Sequence, residues 1–436
     1  MDVATPHTPR TASSTDTRKM DALVIQGGRP LNGRVTVSGA KNAALPVMAA
    51  TLLAPGVHRL RNCPQLLDTR TFGKVLEVLG AKVSFSDDLC TIDTTGVNQF
   101  EAPYDLVKTM RASIYVLGPL LARFGAARVS LPGGCAWGPR PVNLHLTGLQ
   151  ALGAQLDIDH GYIVGRDVKL HGARFSFDVV SVGATAQLLM AATLAEGTTV
   201  LENVAIEPDI TVLGEVLVQC GARIEGLGSR RITIHGVKEL RPIDTAIIAD
   251  RIEAATFAAA AAMTGGSITL ERVVPDHFEA SLQKLEEAGC AIVRETDEVT
   301  ISGRGRPRAV DVTTMPFPGF PTDMQAQIMA VAAIADGTSV ITDTIYHDRF
   351  THVPELGRMG ANIELKNNVA VVKGVARLSG APVMATDLRA SAALALAALV
   401  AEGETKISRI YHLDRGYERF DEKLTRLGAR VQRIRE

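Results

Sequence analysis

Six times along the chain an Ala/Leu-rich run ends near a glycine, passes into a segment of alternating apolar and polar residues, and then into an amphipathic stretch. Each amphipathic stretch closes on a short phrase: LGAKV at Leu79–Val83, LGAQL at Leu152–Leu156, CGARI at Cys220–Ile224, AGCAI at Ala288–Ile292, MGANI at Met359–Ile363 and LGARV at Leu427–Val431. The glycines at 80, 153, 221, 289, 360 and 428 give a period of 68 to 73 residues. A second set (Gly56, Gly125, Gly197, Gly265 or Gly266, Gly337 and Gly403) precedes them by 23 to 28 residues. The pattern predicts an Ala-rich helix, a left-handed glycine cap, a strand such as TTVLENV, and an amphipathic helix such as FGKVLEVLGAKV with Gly80 as its cap. Lys82 onward then starts another strand. Each unit is an α/β module with two helices and several strands.

A single core stops growing near ~250–300 residues, so six modules divide into three and three. A solenoid is the alternative. Its usual periods are shorter, and neither terminal unit has the polar face of a cap. Composition fits a globular chain of 436 residues, 46% hydrophobic and 21% charged. Aromatics are only 4%, so the cores must be aliphatic and alanine-rich. The net charge of −1 argues against a partner with a large anionic surface, nucleic acid or membrane, while leaving room for a local basic pocket. The five cysteines are scattered without a CxxC pair or a Cys/His cluster, which speaks for a reduced compartment and against a zinc site. No apolar run has the ~18 residues of a membrane helix. Residues 1–19 lack the apolar stretch of a signal peptide and read as a disordered tail, with Met20 as an alternative start. The cytoplasm is the expected location.

The conspicuous polar phrases fall between the repeats: SGAKNAALP, KTMRAS, LPGGCAWGPRPVNLH, SVGAT, ADRIE, FPTDMQAQ, HDRFTHVPEL, ATDLRAS and DRGYER. Six of the nine hold an arginine and another holds Lys41. Convergent arginines and a lysine on loops suit phosphates and carboxylates, since Arg grips such groups with two parallel bonds. Each taken alone is equally an ordinary ion pair. Cys135 sits among Gly and Pro with Arg140 nearby, a setting that favours the thiolate; the other four cysteines read as packing residues. Asp323 is the candidate carboxylate, although its place before an apolar helix is also that of an N-cap. No dinucleotide fingerprint and no phosphate-binding GxxxxGK[ST] loop is present.

In these phrases the chain resembles the UDP-N-acetylglucosamine enolpyruvyl transferases, in order, from about residue 20 to the C-terminus. SGAKNAALP, YDLVKTMRAS, LPGGC, RPV, SVGAT, DRIE, FPTDMQAQ, HVPEL, MATDLRAS, RIYH and DRGYER carry the resemblance. It implies a two-domain inside-out α/β barrel with three modules per domain: 41–248, and 20–40 plus 249–436, with the site in the cleft between them. It also implies transfer of the enolpyruvyl group of phosphoenolpyruvate to the 3-hydroxyl of UDP-N-acetylglucosamine, the first committed step towards peptidoglycan, without metal or cofactor.

By position, the resemblance assigns Lys41, Arg140 and Arg415 to the phosphate and carboxylate of phosphoenolpyruvate, with Arg111 and Arg389 in the same basic pocket. Asn42 contacts the sugar, and Asp323 accepts the sugar hydroxyl proton. Cys135 assists proton transfer to C3, forms a covalent adduct with phosphoenolpyruvate, and is the thiol alkylated by fosfomycin. Uridine lies along Arg140, Pro141, Val142, Asn143 and Leu144. Ser181, Val182 and Gly183 meet the diphosphate, and Ile345 lies near the sugar. Asn143 replaces the family's frequent Asp, Val179 its Lys or Thr, ADRIE its PDRIE, and HDRF its ENRF. A paralogue with another nucleotide acceptor is therefore the nearest rival. The related shikimate-pathway synthase lacks the Cys loop, and a non-catalytic binding protein would be expected to lose Lys41 or Asp323.

Overall fold

In the computed structural model, residues 21–108, 110–131 and 142–436 are described. They form six four-stranded sheets built to one plan. In each, an edge strand runs parallel to its neighbour, which is followed by an antiparallel pair. The strand Glu101–Ala102 lies parallel to Ala127–Ser130, and the hairpin Leu156–Asp159 with Tyr162–Gly165 completes that sheet. Alternation decides which face turns inward: in Thr198–Glu202 the buried positions are Thr199 and Leu201.

The second glycine of every module has positive φ, from 92° at Gly360 to 111° at Gly221. Gly80 ends the helix Leu67–Val78 and is followed by the strand Lys82–Ser86, as the pattern predicts. The first set behaves differently. Gly125 and Gly265 are left-handed helix caps, with φ of 68° and 67°. The other four stand three or more residues past their helices, where a further turn intervenes before the strand. For example, the helix Val182–Ala192 is capped at Thr193, well before Gly197. Helical capping was thus the wrong account of these four: their positive φ serves the entry to the strand.

The Ala-rich helices lie inside and the sheets outside. In Leu388–Val400 every residue from Arg389 to Leu399 is buried, so the helix is covered on all sides, and beyond Ser391 all of it is apolar. Its small side chains let it pack directly on two other central helices, Arg251–Thr264 and Gln325–Ala333. Two separate cores result. One draws its buried residues from Ala40 to Ile247; the other draws on Leu23–Val37 and on Ile252–Ala429. The early strand Asp21–Gln26 lies between Glu404–Ser408 and Arg430–Arg435. Asn32–Thr36 edges Ser267–Glu271, and Asp244–Ala246 returns to edge Val57–Arg61.

The backbone passes between the cores at two adjacent places. Gly39 and Ala249 form an antiparallel bridge, the amide of Ala40 donates to the carbonyl of Ile248 at 2.7 Å, and that of Asp250 to Ser38 at 2.8 Å. Only glycine fits at 39, because a Cβ there would stand 1.9 Å from the carbonyl oxygen of Asn62. Among the described residues no helix is long and apolar enough to cross a membrane.

Candidate active site

Directly beyond this crossing, Lys41 and Asn42 open the helix Lys41–Ala50, whose first turn holds no acidic residue and no capping side chain. Facing them is Asp68, in the first turn of Leu67–Val78. Its carboxylate meets Lys41 Nζ at 3.4 Å and Arg415 Nε at 2.9 Å. Arg415 arrives from the other core, at the end of the 3₁₀ segment Ile410–Arg415. Burial lowers the Lys41 ammonium from its ordinary value; Asp68 opposes the shift, and the nearby Arg389 and Arg415 reinforce it.

Asp323 does not cap a helix. It lies in the 3₁₀ turn Thr322–Met324, ahead of the helix Gln325–Ala333, whose N-cap residue is Met324. Its carboxylate faces the site instead. Arg389 Nη2 meets Oδ2 at 2.7 Å, Arg349 Nη2 meets Oδ1 at 2.8 Å, and the Asn42 amide donates to Oδ2 at 3.5 Å. Burial by itself would raise this carboxyl. Arg389 and Arg349 outweigh burial and hold it well below the usual carboxylate range.

A buried polar group steadies these residues. Asp387 accepts from the amides of Arg389 and Ala390, fixing the start of the Leu388–Val400 helix. Arg389 also donates to the Tyr417 hydroxyl at 3.4 Å, and Gln327 donates to that hydroxyl and to the carbonyl of Asp323. Asp343 accepts from the hydroxyls of Thr314 and Thr322 and from the amides of Ile345 and Tyr346. One carboxylate thereby holds both the Asp323 turn and the half-exposed Ile345.

A second group gathers around His145. Ser181 caps the helix Val182–Ala192 by accepting from the amide of Ala184, and Val142 precedes the helix Asn143–Ala151. A Cβ on Gly183 would lie 3.1 Å from His145 Nε2, so glycine allows the two helix starts to approach. Burial, with Arg111 adding, pushes His145 down to about 3 and keeps it neutral. Burial also pushes the Tyr115 hydroxyl up to about 12, against the pull of Arg111. Leu144 is half-buried, and Asn143 and Val179 are exposed.

The structure therefore gathers these residues around two carboxylates where the cores meet: Lys41 and Arg415 at Asp68, and Asn42, Arg349 and Arg389 at Asp323. It sets Arg111 beside His145, which touches Gly183. Cys135, Arg140 and Pro141 lie outside the described residues. Sequence reasoning missed Asp68, Arg349 and Asp343 as individual residues. Arg349 had a signal in the HDRF phrase. Asp68 had none, because an acid in the first turn of an amphipathic helix is an ordinary dipole partner. Among the described residues no group of three His, Cys, Asp or Glu could hold a metal ion.

The family profile described as EPSP synthase (3-phosphoshikimate 1-carboxyvinyltransferase) matches residues 25–424. The chain is 57% identical over 417 residues to a UDP-N-acetylglucosamine 1-carboxyvinyltransferase of Geobacter metallireducens, covering 96% of this chain and 100% of that one. A protein of the same name from Thermodesulfovibrio yellowstonii is 55% identical, covering 95% and 100%. Among solved structures, the enolpyruvyl transferase NikO from Streptomyces tendae superposes with a TM-score of 0.86 at 28% identity, covering 95% of this chain and 99% of that one. An EPSP synthase from Acinetobacter baumannii, at 18% identity and a TM-score of 0.74 over 95% of this chain and 100% of that one, shares the fold.

Proposed function

Because the chain belongs to the EPSP synthase (3-phosphoshikimate 1-carboxyvinyltransferase) family, we propose that it transfers the enolpyruvyl group of phosphoenolpyruvate to the 3-hydroxyl of UDP-N-acetylglucosamine and releases phosphate. The observation that carries this reading is the constellation where the two cores meet: a carboxylate, Asp323, gripped by two arginines, beside the cations Lys41 and Arg415. The former suits a hydroxyl proton and the latter an anionic substrate. The division into 41–248 and 20–40 plus 249–436 belongs to the same reading, supported by the two separate cores.

The sugar oxygen bonds to C2 of phosphoenolpyruvate while its proton passes to Asp323, and C3 takes up a proton with the help of Cys135. Breaking the C2–O bond then expels phosphate, and loss of a proton from C3 restores the double bond. Lys41, Arg140 and Arg415 hold the phosphate and carboxylate, with Arg111 and Arg389 adding positive charge. Asn42 contacts the sugar. Arg140, Pro141, Val142, Asn143 and Leu144 follow the uridine, Ser181, Val182 and Gly183 the diphosphate, and Ile345 the sugar. This chemistry requires no metal or cofactor. Its substrates are small and soluble, nucleic acid and membrane have no part in it, and the cytoplasm is the compartment that supplies them.

Incubation with phosphoenolpyruvate and UDP-N-acetylglucosamine should release phosphate. The exposed Asn143 and Val179 justify a panel of other nucleotide sugars, and turnover confined to one of these would replace the acceptor named here. Fosfomycin should add once per chain, at Cys135. Cys63, Cys90 and Cys220 are buried, and burial raises the Cys220 thiol; label found by peptide mapping at any of the three would remove Cys135 from its role.

A further inference from the structure

Asp68 is buried, and both of its carboxylate oxygens are committed to cations assigned above to phosphoenolpyruvate. Arg415 reaches Oδ1 through Nε at 2.9 Å and Oδ2 through Nη2 at 3.5 Å, and Lys41 adds a contact to Oδ2 at 3.4 Å. Two parallel bonds from one edge of a guanidinium are the grip that Arg offers a carboxylate or phosphate ligand. Lys41 and Arg415 also repel each other, since Arg415 depresses the Lys41 ammonium while Asp68 supports it. In a partly desolvated cleft such repulsion is expensive, and an anion between the two cations relieves it. The helix bearing Asp68 belongs to one core and Arg415 to the other, so the same carboxylate joins the two cores at this point.

We infer that Asp68 is a resident stand-in for the substrate anion: it occupies Arg415 and Lys41 when no ligand is bound and gives up Arg415 when phosphate or carboxylate arrives. The inference rests on the reading of Lys41 and Arg415 as the anion grip. Asp68 is then a positioning residue that sets how tightly anions bind, and it helps the product phosphate to leave by competing for its partner.

Inorganic phosphate is the probe, titrated calorimetrically into the full-length chain. Asp68→Asn should bind it about tenfold more tightly, within the usual range for coupling between two competing interactions. The Michaelis constant for phosphoenolpyruvate should fall with it, and inhibition by phosphate should strengthen. Adding Arg415→Ala should abolish the gain. Equal or weaker phosphate binding by Asp68→Asn overturns the inference, because a residue that merely held the cations in place would weaken binding when neutralised. Asp68→Ser provides a second neutral variant with the same expectation. In the unaltered chain, saturating phosphate should speed amide hydrogen exchange in the first turn of Leu67–Val78 as Asp68 loses Arg415; unchanged or slower exchange also overturns it. Tighter phosphate binding without turnover on any acceptor would sink the transferase reading and leave this inference standing. Turnover without tighter binding would do the reverse.

Discussion

Replacing Asp323 by Asn should lower turnover by ~10² or more, the usual loss when a positioned general base is removed, while the protein stays folded. The amide keeps the shape of the carboxylate but cannot take the sugar proton. Near-normal turnover would remove Asp323 from the role. The pH dependence is a separate expectation. Arg389 and Arg349 hold the Asp323 carboxyl well below its ordinary value despite its burial, so in the free enzyme it remains ionised throughout the range in which the protein is assayed. The acidic limb of kcat/KM should therefore not report Asp323 between pH 5 and pH 8. A depressed carboxyl stabilises the fold above its unfolded pKa, and this contribution is lost only as pH falls through the lower folded value. So acidic a carboxylate is also a poor base. Negative charge on the bound substrate offsets the same arginines and makes Asp323 more basic when the proton must move. Arg349→Ala should raise the Asp323 carboxyl towards its ordinary value, read directly from its side-chain carbon shift in an NMR titration, and an unmoved titration would show that Arg349 does not govern the carboxyl.

The largest expected loss of stability lies at the crossing between the cores. Lys423, on the helix Phe420–Arg426, forms an ion pair with Glu253 and donates to the Ser38 hydroxyl at 2.6 Å. Glu253 is buried and also accepts from the Ser38 amide. Lys423→Met would strand this carboxylate. Removing one partner of a buried pair costs about 3–5 kcal/mol, which corresponds to roughly 10 °C in Tm for a unit of this size. Burial already raises the Glu253 carboxyl, with Lys423 opposing; without Lys423 the shift grows. The folded variant then binds more protons than its unfolded form, so its stability falls as pH rises. The Tm deficit should be smaller at pH 5 than at pH 8, and Glu253→Gln added to Lys423→Met should recover part of it. A deficit independent of pH would count against this account.

What the residues disclosed followed their range of action. Alternation and Gly spacing are local signals, and they placed the six modules and the strand after Gly80 correctly. The role of Gly197 was misread because a turn between helix and strand leaves no periodic trace. Asp323 looked like a cap because its neighbours in sequence supply a helix start, while its true partners, Arg349 and Arg389, lie 26 and 66 residues away. Asp68 and Arg415 are 347 residues apart, and no pattern within either segment could pair them. Motif resemblance bridged such distances for Lys41, Asn42, Arg389 and Arg415, which the structure gathers. It named neither the acid that faces two of them nor Arg349.

The strand Asp21–Gln26, paired on both sides by strands near the C-terminus, fixes an order of events during synthesis. The core built from Ala40 to Ile247 contains its own strands and can form as soon as that stretch leaves the ribosome. The earlier strand must wait for Glu404–Ser408 and Arg430–Arg435, which are made long after it. Until then both of its edges are open to other chains. A ribosome stalled late in the message would release a product with one finished half and one half lacking its closing strand. Such a product should be a preferred substrate for chaperones and proteases.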